Sequence, residues 1–200
     1  MPILKPEPDC HPDGLLDRFA TGDTQRDDLA GSTEVDLPAD HHWYLAYTKS
    51  RQEKSLLRKL RESDIWHYAP QIPRRYRSPQ GRIRTSIVPL FANYVFVYAD
   101  EMGRYKTVST GCVMKMATID DSQTLVADLR QIRSLIAIDV PMTVEGRVGP
   151  GQRVRVRNGS FAGYEGIVDR RDAETRLIVA VQFMDQGVSV KLDDCQLEVL

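Results

Sequence analysis

The segment PLFANYVFVYA (Pro89–Ala99) limits the fold of this chain more than any other. From Asn93 onward it is almost continuously apolar, the pattern of a strand covered on both faces. It predicts a strand deep in a sheet, with material packed above and below. Alternation puts Val95 and Val97 on one face and Tyr94 and Phe96 on the other, with Phe91 at the strand's entry, apart from the sheet interior. Two readings of the aromatics stay open. Either all of them are core, Phe96 and Trp43 included, or Tyr44, Phe91 and Tyr94 rim an apolar cavity that receives a helical tip from a partner. Aromatic side chains suit the second role because they bury much area at small entropy cost.

The flanking segments extend the sheet. WYLAYT (Trp43–Thr48) is aromatic and β-prone, a second strand. In SRQEKSLLRKLRES, Leu56, Leu57 and Leu60 share one face with charge elsewhere, which predicts an amphipathic helix. WHYAPQIP reads as a short strand stopped by Pro73, and RRYRSPQGRIRT as a β-hairpin or mobile loop around Pro-Gln-Gly. Residues 100–110 suggest a short helix, Val113–Ala117 a strand, and Leu125, Leu129, Ile132 and Ile136 a helix over 122–137. Alternating strands and helices predict an α+β sandwich over residues 41–138, with helices on an antiparallel sheet. Residues 139–149 carry Pro and Gly without periodicity and read as a linker. Beyond it come only short strands: Arg153–Arg157, Glu165–Arg171, Leu177–Phe183, Val188–Leu192 and Gln196–Leu200. That spacing predicts a small β-barrel over residues 150–200.

Charge is unevenly spread behind a formal net charge of −1. Residues 1–40 hold three basic and ten acidic residues, residues 41–120 fourteen and six, and residues 121–200 ten and twelve. The first stretch reads as a disordered acidic tail with a marginal helix signal at Leu15–Ala20. The middle stretch is a basic body, and a clustered basic face calls for an acidic polymer. Its densest part is the arginine group Arg74, Arg75, Arg77, Arg82 and Arg84, with no acidic residue between Ala69 and Ala99. Five like charges repel one another unless something negative approaches; the plainer reading is a solvated loop.

No catalytic constellation is present. His41, His42 and His67 lack partners at metal-ligand spacing, no glycine loop of the phosphate-cradling kind opens a helix, and Asp120–Asp121 reads as a helix cap. A non-enzyme without metal or cofactor is expected. Cys10, Cys112 and Cys195 are odd in number and widely spaced, which fits a reducing compartment. With no signal peptide and no long apolar run, the expected setting is the cytoplasm, without membrane contact.

Four segments together carry a resemblance: WYLAYTK (Trp43–Lys49), PLFANYVFV (Pro89–Val97), STGCVMKM (Ser109–Met116) and PGQRVRVRNGSFAGYEGIV (Pro150–Val168). They resemble the NusG family of transcription elongation factors, in which an NGN domain precedes a KOW β-barrel. PLFANY is similar to the PLFPNY-type sequence of the specialised RfaH-like branch, where housekeeping members show FPGY. The resemblance implies a processivity or antitermination factor, acting as a monomer. It implies that Tyr44, Phe91, Tyr94 and Phe96 bind the clamp helices of the RNA polymerase β′ subunit. It also implies that Lys49 and the five arginines approach the non-template single-stranded DNA at the upstream fork. Phe161 matches the Phe of a GPF segment, although Ser160 replaces the proline. That loop would contact the ribosomal protein NusE or the termination factor Rho. The β-branched C-terminal strands favour a constitutive barrel over a helical hairpin. The rival reading is an RNA- or ribosome-binding KOW module without polymerase binding. The near-neutral charge of residues 150–200 speaks against it.

Overall fold

The computed structural model describes residues 7–19, 37–145, 151–171, 174–184, 186–192 and 197–200. They fall into two compact units, one ending at Ser122 and one beginning at Gln123. Both combine helix with antiparallel strands, an α+β chain.

In chain order the N-terminal unit holds β1 (Cys10–His11), a 3-10 turn (Leu15–Phe19), β2 (His42–Thr48), α1 (Glu53–Glu62), β3 (Trp66–Tyr68), β4 (Gln71–Arg77), β5 (Ile83–Pro89), β6 (Tyr94–Ala99), α2 (Glu101–Ser109) and β7 (Val113–Ile119). Five of the strands form a sheet in the order β1-β3-β6-β2-β7, while β4 and β5 make a separate two-stranded ribbon. The apolar β6 takes the central place, paired antiparallel with β2 and β3. On one face Tyr44, Ala46, Val95 and Val97 pack against Leu56, Leu57 and Leu60, the stripe that gave α1 its helical period. Each of those leucines is fully buried, a contribution of about 1.5–3 kcal/mol apiece. The other face carries Trp43, Leu45 and Tyr47 beside Tyr98, Phe96 and Tyr94, strand partner by strand partner.

The ribbon departs from the sequence expectation at Pro73, which lies inside β4 opposite Ile87 instead of ending a strand. In a two-stranded ribbon each strand keeps an open edge, where a missing N–H breaks no ladder bond.

Residues 7–19 correct the reading of a disordered tail. Cys10 and His11 pair with Tyr68 and His67 along β3, and the Ala69 N–H donates to the Asp9 carbonyl at 2.7 Å. Leu15 and Leu16 are fully buried, and the Phe19 ring lies 5.3 Å from Trp43 and 4.9 Å from Tyr98. Arg61 reaches Glu7 at 2.6 Å, and Arg18 lies over Trp66 at 5.1 Å. The acidic average of residues 1–40 hid three apolar side chains concentrated in one turn: Leu15 and Leu16 become buried, and Phe19 meets aromatic rings of the sheet. This segment will be called the strap.

The C-terminal unit takes α3 (Ser122–Ala137), β8 (Met142–Glu145), β9 (Gln152–Val156), β10 (Glu165–Arg171), β11 (Glu174–Val181), a 3-10 turn (Gln182–Met184), β12 (Gln186–Lys191) and β13 (Leu197–Val199). Its six strands run in the order β13-β9-β10-β11-β12-β8, antiparallel throughout. Val154, Val156, Leu177, Val179, Val181, Val188 and Val190 fill its core. Two features differ from the expected division at residues 138 and 150. Residues 142–145, read as linker, form β8 and pair with β12. The helix α3 groups with these strands: Asp128 accepts the Gln182 N–H at 3.0 Å and Gln131 that of Glu165 at 2.9 Å. Periodicity predicts that a helix has an apolar face but does not name the surface it meets. Cys195 lies outside the described residues.

Candidate functional site

The β4–β5 ribbon is a closed, tight hairpin. At its tip Ser78 N–H donates to the Arg82 carbonyl and Gly81 N–H to the Ser78 carbonyl, both at 2.8 Å, and the Ser78 hydroxyl accepts the Arg82 N–H at 3.2 Å. At its base Leu90 N–H reaches the Pro70 carbonyl at 2.7 Å, and the Lys54 ammonium donates to the Ile87 carbonyl at 2.6 Å. Between these anchors Arg74, Arg75, Arg77, Arg82 and Arg84 are all exposed. Among the described residues none of the five forms an ion pair. Lys49, at the end of β2, is exposed as well.

The C-terminal unit handles its arginines differently. Arg155 donates to Glu165 at 2.8 Å and Arg157 to Glu198 at 2.9 Å. These bonds hold both guanidiniums above, and the Glu198 carboxyl below, their ordinary ranges. Arg155 in β9 and Arg157 just after it are therefore compensated by neighbouring carboxylates, whereas none of the five hairpin arginines is, among the described residues.

The four aromatics named from the sequence do not assemble into an open rim. Tyr44 and Tyr94 lie on opposite faces of the sheet, because strand alternation sends Tyr44 toward the α1 leucines. Its hydroxyl donates to Glu101 at 3.4 Å, and burial beside that carboxylate raises its pKa. Phe91 and Phe96 are buried, at 1% and 0% exposure. The reading of these rings as core holds for three of the four. On the face of Tyr94 the accessible aromatic surface includes a ring that the sequence reading did not name. Tyr47, 37% exposed, sits opposite Tyr94 in register, with ring centroids 5.4 Å apart. Lys115 flanks Tyr47 on its other side. The signal was present in WYLAYT: the alternation that buries Tyr44 with α1 puts Tyr47 on the face of Tyr94.

The turn before Tyr94 explains the Ala-Asn step. Asn93 has φ +68°, the left-handed region that Gly and Asn tolerate best. Its N–H donates to the Glu53 carboxylate at 2.8 Å and its carbonyl accepts the Thr48 N–H at 2.8 Å. Asn93 thus occupies a backbone position that suits the glycine of FPGY equally well. The outer side of α2 adds a second exposed apolar stripe, Met102, Tyr105 and Val108.

Phe161 does not project from its loop. It is 8% exposed and lies edge-on to Tyr164 at 6.1 Å, folding back toward the barrel. Gly159 and Gly163 take positive φ as turn residues. Gly166 has another reason, since a Cβ there would strike the Ile178 carbonyl.

A protein-family model described as transcription termination factor nusG matches residues 41–148. The chain belongs to the NusG family, a family of transcription elongation and termination factors that typically bind RNA polymerase. No curated protein matches the chain significantly. No helix among the described residues is long and apolar enough to cross a membrane.

Proposed function

We propose that this protein is a transcription elongation or antitermination factor. It docks on the clamp helices of the RNA polymerase β′ subunit and holds the non-template DNA strand at the upstream fork, suppressing pausing or termination. The observation that carries this reading is that one unit bears both an aromatic pair, exposed Tyr47 and half-buried Tyr94, and a hairpin whose five arginines form no ion pair among the described residues. Exposed aromatics suit a helix-receiving hot spot. Unpaired arginines suit phosphate, because each neutralised phosphate releases counterions. Lys49 joins the DNA-contacting group.

In this reading the N-terminal unit is an NGN domain of the RfaH-like branch, supported by Ala92-Asn93 within PLFANY. The C-terminal strands are a KOW barrel that recruits NusE or Rho, and the setting is the bacterial cytoplasm. The pairing of Arg155 with Glu165 and of Arg157 with Glu198 weighs against an RNA- or ribosome-binding module, which needs a basic barrel face. A single-round transcription assay with purified RNA polymerase tests the proposal. Adding the protein shortens pauses or raises read-through at terminators. Unchanged pausing and termination at saturating protein would exclude it.

A further inference from the structure

The two faces of the arginine hairpin differ. Strand pairing sets Tyr76 directly across from Arg84 and Arg74 across from Ser86. Because cross-strand partners and alternate residues share a face, Tyr76, Arg74 and Arg84 stand together. The opposite face holds Arg75, Arg77, Thr85 and Ile83, with no ring. Tyr76 is 49% exposed, and no ring or guanidinium among the described residues lies over it. Arg84 starts roughly 5 Å away across the ladder, and Arg74 roughly 7 Å away along the strand. One open aromatic face is thus bracketed by two free guanidiniums, about the spacing at which one nucleotide brings a base and its flanking phosphates.

We propose that this face binds unpaired DNA by stacking one base on Tyr76 while Arg74 and Arg84 hold the adjoining phosphates. Resting on the reading that the hairpin meets DNA, it adds which face does so and why a single strand is preferred. In duplex DNA the π-face of each base is covered by its neighbours, so Tyr76 gains nothing there. A ribbon in a duplex groove would use arginines alone. The ringless face, with Ile83 at 69% exposure, offers phosphate contacts but no stacking surface.

The test is equilibrium binding of the full-length protein to three fluorescent DNA probes of equal length: a single strand, the same strand with abasic sites, and the duplex. The wild type is expected to favour the single strand over both others. Tyr76→Ala should weaken single-strand binding roughly 5- to 100-fold, the range of one base–aromatic stack. It should equalise the intact and abasic strands and leave the salt slope unchanged. Tyr76→Phe should keep the preference, and Tyr76→Leu, which maintains an apolar strand residue without a π-system, should lose it. Arg74→Ala with Arg84→Ala should lower the salt slope. Single-strand binding that is insensitive to Tyr76→Ala, or duplex preferred by the wild type, overturns the stacking face while the DNA reading survives. Absence of binding to every probe removes both.

Discussion

The carboxylate of Glu53, in the first turn of α1, accepts the backbone N–H of Asn93 at 2.8 Å. Glu53 is only 7% exposed, so the bond fixes the turn that delivers Tyr94 to the surface. Since Asn93 lies at φ +68°, Asn93→Gly should leave stability nearly unchanged, whereas Asn93→Val should cost about 1–2 kcal/mol. Glu53→Ala should cost about 1–3 kcal/mol by leaving a half-buried N–H without its carboxylate partner. Chemical denaturation of the three variants measures all of this directly.

The strap makes a second prediction. Leu16→Ala should destabilise the N-terminal unit by about 2–5 kcal/mol, the ordinary cost of truncating a fully buried leucine. A chain starting at residue 41, where the family match begins, should melt well below the full-length protein. Equal melting temperatures would show that the strap adds nothing to the fold.

A third concerns pH. His67 is fully buried, its Nδ1–H donating to the Ile65 carbonyl at 2.7 Å and its Nε2 without a hydrogen-bond partner among the described residues. Burial lowers its pKa to about 4. In the unfolded chain it titrates near its ordinary value of about 6.5, so below that pH the unfolded state binds more protons. Stability from this group is complete above pH ~6.5 and lost as pH falls toward 4, up to about 3 kcal/mol. Denaturant melts from pH 7 to 4 should show this slope, and His67→Phe should flatten it.

Much of the architecture was legible in local pattern. The Leu56–Leu57–Leu60 stripe, the apolar β6 and the β-branched C-terminal strands each announce their element, because burial imposes period 3.6 or 2. What was not legible was tertiary. Nothing local says that α3 meets the C-terminal strands, that residues 142–145 join β12, that Leu15 and Leu16 become buried, or that Phe19 finds Trp43. The exposure of the candidate site's rings was not legible for a related reason. Tyr44, Phe91 and Phe96 were named for their ring type, yet exposure depends on which face a neighbouring element covers. The arginine hairpin was legible because charge without nearby countercharge is visible in sequence, but its division into two faces required the strand register.

The placement of these rings decides how the polymerase contact must be probed. Phe91→Ala should cost about 3–5 kcal/mol of fold stability, so a binding loss in that variant is uninformative. Tyr47→Ala and Tyr94→Ala leave more of the core intact and should each weaken polymerase binding by about 2 kcal/mol, the size of a hot spot.

The most direct measurement is therefore the affinity of the full-length protein for RNA polymerase, compared between the wild type and a Tyr47→Ala, Tyr94→Ala variant shown to be folded by circular dichroism. The account predicts measurable wild-type binding that falls at least about 30-fold in the variant, taking one hot spot as the lower bound. Equal affinity of the two proteins would contradict it.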